Sequence, residues 1–341
     1  MRLNYIDNVD CLEGLRDVPD GSVDLVLCDL PYGVTKCEWD KVIPFDEMWT
    51  QLHRVVKTKG IAVLFGQQPF MTKLISSNFG DFSHCWYWKK NTVTGFLNAH
   101  RMPMKNVEEI AVFVLNAPGK NNTGRFLELR KYFFDELEKS GKTRAEVSKR
   151  LGTSMTSHYF TWGAQFAIPT AAAYKKLQDI TGRFARPYEE IKAEWDGGMT
   201  AAAGDRGETV PFTFNPQGTT AVKIAKTELG RSGIYAGALP KDYEQTATGY
   251  PRQLLEFDTP NSKDRLHPTQ KPLELCEYLI KSYSNPGETV LDMCMGSGTT
   301  AVACVRTGRN YIGFELDPQY HATALARVSA EAASAEEDWM Q

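Results

Sequence analysis

The chain has 341 residues, 42% of them hydrophobic, which excludes disorder for its bulk and suffices for one large α/β domain with an insertion, or for two domains. A formal charge of -3 excludes a protein that is basic throughout, so any nucleic-acid contact has to come from a local patch. Seven cysteines without C-x-x-C spacing argue against a zinc site, and no apolar run approaches the roughly 18 residues of a membrane span. The odd cysteine count and the absence of a signal-like start point to a reducing cytoplasm.

Taken in chain order, "LNYID" reads as a strand, "CLEGLRDV" as a helix and "SVDLVLCDLPY" as a strand. A helix over "FDEMWTQLHRVVKTKG" follows, then strand "IAVLFG", helix "QPFMTKLISSNFG" and the strand-like runs "SHCWYWKK" and "EEIAVFVLN". Strand-helix-strand alternation predicts parallel pairing with right-handed crossovers, and the last two strands, with little between them, predict an antiparallel edge pair. From residue 118 the chain turns helical and charged, and then rich in Gly, Thr and Pro up to residue 250. Alternation resumes with helix "KPLELCEYLIKSYS", strand "TVLDMCMG", helix "TTAVACVRTG", strand "NYIGFELD" and a final helix from Pro318. Residues 1–117 and 251–341 therefore form one α/β domain, interrupted by an insert at 118–250.

Two stretches carry chemistry. "CDLPYG" at 28–33 ends an apolar run with an acid, a proline and a tyrosine, none of which continues a ladder. The carboxyl edge of an open α/β sheet is where ligands bind, although an ordinary Asp-x-Pro turn explains the same letters. "TVLDMCMGSGTTAVAC" is strand, Gly-rich turn and helix, with Asp292 at the strand end, Gly296 and Gly298 in the turn and Thr299 and Thr300 opening the helix. Glycines admit a ligand close to the backbone, and a helix start offers unpaired N–H groups. Glu315 ends the next strand, where an acid accepts hydrogen bonds from both ribose hydroxyls. An adenosine-containing ligand fits. No Lys follows the glycines, which disfavours ATP hydrolysis, whereas a nicotinamide dinucleotide stays open on this motif alone.

The pair "DLPYG" and "LDMCMGSGTT", with "HPTQKP" at 267–272 between them, resembles the permuted, β-class S-adenosylmethionine-dependent DNA methyltransferases that modify exocyclic amino groups. The resemblance covers the two outer segments and leaves the insert uncovered. It implies a Rossmann-like methyltransferase fold: a mostly parallel seven-stranded sheet with one antiparallel strand, helices on both faces, and an inserted, largely helical target-recognition region. It further implies S-adenosyl-L-methionine as cofactor, no metal, and double-stranded DNA as partner, with a homodimer and a cognate restriction nuclease as further partners by analogy. Gly296, Gly298, Thr299 and Thr300 would surround the methionine part of the cofactor, with Asp292 near its amino group. Glu315 would hold the ribose, and His267, Thr269 and Lys271 would sit near the methionine carboxylate.

Methyl transfer to an aryl amine needs the nitrogen lone pair aimed in line at the methyl group. Asp29 would accept one amino N–H and the carbonyl of Leu30 or Pro31 the other. Pro31 would fix that carbonyl, and Tyr32 would offer a face to a base flipped out of the duplex. Trp39 would wall the base pocket or merely pack at the surface, and Asp7 and Asp10 would cap the helix "CLEGL" rather than face the adenine end of the cofactor. The family motif usually has proline where Leu30 stands. Asp at the first position favours adenine N6 over cytosine N4; an RNA or protein methyltransferase and an inactive DNA-binding regulator are the further alternatives.

Residues 120–195 hold 14 Lys/Arg against 9 Asp/Glu, the local positive field that DNA requires. "KTRAEVSKRLGTSMTSHYF" reads as a helix-turn-helix, with Arg144, Lys149 and Arg150 on the first helix and Thr153, Ser154, Thr156, Ser157 and His158 at the groove-facing start of the second. A plain helical spacer reads equally well. Lys89, Lys90, Arg101 and Lys105 in "KKNTVTGFLNAHRMPMK" would contact phosphates beside the cleft.

Overall fold

Two stretches of chain far apart in sequence build one sheet. The computed structural model describes residues 1–33, 40–116, 126–161, 166–204, 212–227, 242–261, 265–267 and 269–339, so Trp39 lies outside the described residues. The elements run β1 (Tyr5–Asp7), α1 (Cys11–Leu15), β2 (Val23–Asp29), α2 (Phe45–Val55), β3 (Val56–Gly66), α3 (Phe70–Ser77), β4 (Phe82–Thr94) and β5 (Lys105–Val114). The insert contributes α4 (Leu127–Lys139), α5 (Arg144–Leu151), α6 (Thr156–Tyr159), α7 (Ala171–Thr181), α8 (Tyr188–Gly204), β6 (Thr220–Thr227) and β7 (Asp242–Thr248). The chain closes with β8 (Leu254–Glu256), α9 (Leu273–Tyr283), β9 (Thr289–Asp292), α10 (Thr299–Thr307), β10 (Asn310–Phe314) and α11 (Pro318–Trp339).

Among the described residues, eight strands form one sheet in the order β1-β10-β9-β2-β3-β5-β4-β8, and β6 pairs with β7 as a separate ribbon. Within the large sheet β5 alone runs against its neighbours. The sheet has one strand more than the seven expected. β8 pairs in parallel with β4 from Tyr87↔Leu254 to Lys89↔Glu256, so the antiparallel β4–β5 pair is not the edge that the sequence predicts.

Leu25 to Cys28 of β2 form a continuous apolar run because both faces of the strand are covered there. Leu25 and Leu27 join Ile61, Val63 and Phe65 in a layer packed by Leu279 of α9, Val302 of α10 and Val328 of α11. Val26 and Cys28 face the opposite layer, with Leu15 of α1, Leu52 of α2 and Leu74 of α3. β2 and β9 lie side by side through Leu25↔Val290 and Val26↔Leu291. The chain leaves β2 toward β3 on one side and β9 toward β10 on the other. Strand order therefore reverses between them, and a crevice opens beyond their carboxyl ends.

The helix expected over 45–60 stops at Val55, and β3 begins at once. Adjacent β-branched Val55 and Val56 favour extended backbone, and Asn116 Nδ2 donates to the carbonyls of His53 (2.9 Å) and Val56 (2.8 Å), holding the chain at the switch.

The insert has its own apolar cluster, including Leu129, Phe133, Val147, Tyr174, Leu177, Phe184 and Ile191. Thr143 and Glu146 form a reciprocal capping box at the start of α5, and Gly152 ends it in the left-handed conformation. The helix-turn-helix expectation is corrected at α6, which is four residues long with Thr156 and Tyr159 buried: one turn is too short to lie along a groove. Beyond α8 the chain returns to the sheet domain, where Phe214 packs on Tyr283 and the Asn215 N–H donates to Ser282 O (2.7 Å).

Gly298 is explained by packing as well as by the turn. Its φ is +82°, and a Cβ there would stand 3.0 Å from Ala324 Cα of α11. Gly308 has φ +70° and nothing within 4 Å of a Cβ. Gly308→Ala should cost about 1–2 kcal/mol, the penalty of the left-handed region alone. Gly298→Ala should cost clearly more in urea denaturation, because α11 must also shift; equal costs would remove the packing role of Gly298.

Candidate functional site

Asp29 is the last residue of β2 and Asp292 the last of β9, so the strand reversal delivers two carboxylates to one crevice. The crevice is a cavity of about 590 Å³, within the range of small-molecule sites. Asp29, Tyr32, Lys271, Asp292, Gly296 and Glu315 are among its lining residues. The first and second motifs thus meet in space.

At one end lies a buried ion cluster. Lys271 Nζ donates to Asp29 Oδ2 (2.5 Å) and pairs with Glu108 Oε1 at 2.9 Å, while Lys90 Nζ pairs with Glu108 Oε2 at 2.5 Å. The Tyr32 hydroxyl donates to Asp29 Oδ1 (2.7 Å) and lies 3.2 Å from Glu108 Oε1. Lys271 is only 8% exposed and Glu108 2%, so these charges interact with little screening. Burial raises the Asp29 carboxyl above its ordinary value; Lys271 pulls it down and Glu108 pushes it up. For Glu108 the two ammonium groups outweigh burial and hold it low. Burial would lower Lys271, but Asp29 and Glu108 outweigh it, so its ammonium stays charged.

Two expectations change here. Lys271, expected beside a methionine carboxylate, points at Asp29, because the loop before α9 crosses the end of β2. Lys90, expected on DNA phosphate, turns into the cavity onto Glu108, because it shares its strand face with buried Trp86 and Trp88. Glu108 was not singled out in the sequence. It keeps the period-two phase of Ile110, Val112 and Val114, which all face the α9–α11 layer. A core-facing acid was the available signal.

Leu30 is buried in the layer of α1 to α3, so its side chain supplies a core contact in place of a proline ring. The Tyr32 ring leans on Phe70 with centroids 5.0 Å apart.

At the other end, Asp292 Oδ2 accepts from Thr300 Oγ1 (2.6 Å) and Oδ1 from the Cys294 N–H (3.0 Å). Glu315 Oε2 accepts from the Gly296 N–H (2.7 Å), and Oε1 from that of Asp317 (2.9 Å). Arg327 of α11 donates to Thr299 Oγ1 (2.9 Å) and holds the loop from behind. His267 meets Tyr320 edge to face, with centroids 4.2 Å apart, and its Nδ1 lies 3.1 Å from Thr269 Oγ1. Burial, helped by Lys271, lowers His267 to about 4, so it is neutral near pH 7. Asp10 caps α1 by accepting from the Leu12 N–H (2.8 Å), and its residue also lines the cavity. An adenosyl group bearing an amino acid fits this donor set. Two buried carboxylates serve ammonium and hydroxyl donors, Gly296 leaves the cradle open, and α10 presents its first turn.

The remaining expected DNA contacts lie elsewhere. Lys89 pairs with Glu256 (3.2 Å), and Arg101 and Lys105 are exposed on the β4–β5 hairpin. Lys149 and Arg150 are exposed on α5, Arg144 donates to Phe160 O (3.4 Å) and Ser157 Oγ to Ser154 O (2.9 Å), while His158 O accepts from the Ala167 N–H (3.1 Å). None of these five insert residues lines the cavity. Among the described residues no cluster of His, Cys, Asp and Glu has the arrangement of a metal site, and no helix is long and apolar enough to cross a membrane.

Burial raises Asp292 to about 6, partly offset by its hydrogen bonds. Between about pH 4 and 6 the native state holds a proton that the unfolded chain has lost, so stability falls as pH rises, by up to about 3 kcal/mol. Asp292→Asn removes this loss. In melts at pH 4 and pH 7, the variant should gain stability relative to the parent at the higher pH; a pH-independent gap would contradict the assignment.

The family model described as DNA methylase matches residues 23–326. The chain is 44% identical over 133 residues to the DNA adenine methyltransferase YhdJ of Escherichia coli K12, covering 37% of this chain and 43% of that protein. It is 48% identical over 54 residues to the type II methyltransferase M1.MboII of Moraxella bovis, covering 16% and 21%. These matches span less than half the length of either relative. Among solved structures, the M1.HpyAVI–SAM complex is 18% identical with a TM-score of 0.47, covering 95% of this chain and 98% of that one. The match to the family model spans both motifs and the insert between them, and the chain belongs to the DNA methylase family of N6-adenine and N4-cytosine amino-methyltransferases.

Proposed function

We propose that this protein transfers a methyl group from S-adenosyl-L-methionine to the N6 amino group of an adenine flipped out of double-stranded DNA. The observation that carries the reading is the placement of Asp29, held by Lys271 and Tyr32, in one cavity with the Gly296 loop and Glu315. S-adenosyl-L-methionine, when bound, supplies an electrophilic methyl group on a sulfonium. Asp292 would take the ammonium of its methionine part and Glu315 would hold the ribose hydroxyls.

At the target, Asp29 accepts one amino N–H and the Leu30 or Pro31 carbonyl the other, which turns the nitrogen lone pair out of conjugation and toward the methyl group. Nitrogen gains the methyl as the methyl–sulfur bond breaks and leaves its electron pair on sulfur, and nitrogen gives up a proton to Asp29. The Lys271 ammonium opposes the upward push of burial on that carboxyl without touching the proton itself. The Tyr32 hydroxyl is committed to Asp29, so its ring alone is left to bear on the base.

Adenine is favoured by Asp at position 29 and by the name of the relative YhdJ, a DNA adenine methyltransferase. A cognate restriction nuclease, a homodimer and a cytoplasmic location complete the reading.

Nucleoside mass spectrometry of duplex DNA incubated with the protein and S-adenosylmethionine should show N6-methyladenine. N4-methylcytosine would move the target to cytosine, and no modified base would sink the activity. Asp29→Ala should lower transfer on the order of 10²–10⁴-fold while calorimetry shows S-adenosylhomocysteine binding unchanged. Turnover at the parent rate would refute the role of Asp29.

A further inference from the structure

The β4–β5 pair runs on where its neighbour stops. β3 pairs with β5 only as far as Gly66↔Glu109, whereas β4 and β5 pair on to Lys89↔Val107 and, past a bulge in β4, again at Thr94↔Lys105. β4 is parallel to β2 and β3, so this extension projects past the carboxyl ends that form the crevice. Lys90, Thr92 and Thr94 line the cavity along its inner side. Gly95, at φ +89°, then turns the chain into a single 3-10 turn, Phe96–Asn98. Phe96 stands two residues beyond the cavity wall, within about 7 Å of chain.

The composition of this tip is unusual. Phe96 is 73% exposed and Leu97 75%, with Val93, Met102 and Met104 exposed around them. Between 89 and 107 the sequence has no acidic residue and carries Lys89, Lys90, Arg101 and Lys105. A large apolar tip in water is unfavourable unless something covers it, and its basic flanks select a polyanion. Extrusion of a nucleotide leaves a gap in the base stack, which an apolar side chain fills at low cost.

Building on the proposed activity, we propose that the β4–β5 hairpin is a duplex wedge: Phe96 and Leu97 enter the DNA stack beside the target while Arg101 and Lys105 hold the flanking phosphates. Lys90, committed to Glu108 in the cavity, marks where the hairpin passes from DNA contact to chemistry. The occupant of the apolar tip is double-stranded DNA, and a second copy of this chain is the rival that the test must separate.

The test uses Phe96→Ala/Leu97→Ala, whose exposed side chains leave the melting temperature unchanged. Single-turnover methylation is measured on a duplex that the parent modifies, and on the same duplex with an abasic site opposite the target, where the base is already unpaired. The wedge predicts a loss of about 10- to 100-fold on the paired duplex and a rate near the parent's on the abasic one. Equal losses on both substrates, or none on the paired duplex, would overturn it. Weaker self-association in sedimentation without selective loss on the paired duplex would overturn it as well, and assign the tip to a second copy. If the parent modifies neither duplex, the activity reading falls and the wedge with it.

Discussion

One lysine ties the molecule together. Lys271 reaches from the loop before α9 to Asp29 at the end of β2 and to Glu108 on β5, joining three pieces of chain that sequence separates widely. With Lys90 the cluster sets two carboxyl groups against two ammonium groups inside a low-dielectric crevice. A buried cluster of this kind is weak evidence for stability, because desolvation offsets much of the Coulomb gain. Its consequence is chemical. Burial pushes Asp29 toward the protonated form, and the ammonium of Lys271 opposes that push at the carboxylate to which the proposed reaction assigns the amino group.

The second carboxylate pair lies in the same crevice and, among the described residues, makes no ion pair with such a cation. Asp292 rises to about 6 and Glu315 also rises, both through burial, and each leans on hydroxyl or backbone donors instead. A cationic ligand group beside Asp292 would supply the missing charge. The protein therefore pairs Asp29 with a cation of its own and leaves Asp292 to neutral donors. The reversal of strand order between β2 and β9 makes this division possible, because it places both strand ends side by side.

The sequence was legible where physics acts locally. β2 and β9 are apolar runs buried on both faces, and Asp, Pro and Gly mark where each must stop. Asp10 announced its cap by preceding a helix. Contacts across the sheet were not legible. Nothing in "HPTQKP" says that its lysine lies 2.5 Å from Asp29, and the helix-like pattern over 45–60 could not show that Asn116 would hold the helix end at Val55. In the insert, the helix-turn-helix reading failed because the small polar residues after Gly152 sustain a single turn. Glu108 was legible in principle, as an acid in phase with core residues.

The central claim is that Lys271 sets the ionisation of Asp29, and the most direct measurement is the pH dependence of methyl transfer in the parent and in Lys271→Met. Without the ammonium, burial and Glu108 both act to raise Asp29, so the acidic limb of the variant's profile should move to higher pH, with activity recovering toward alkaline conditions. A variant profile that superimposes on the parent's after scaling would contradict the account.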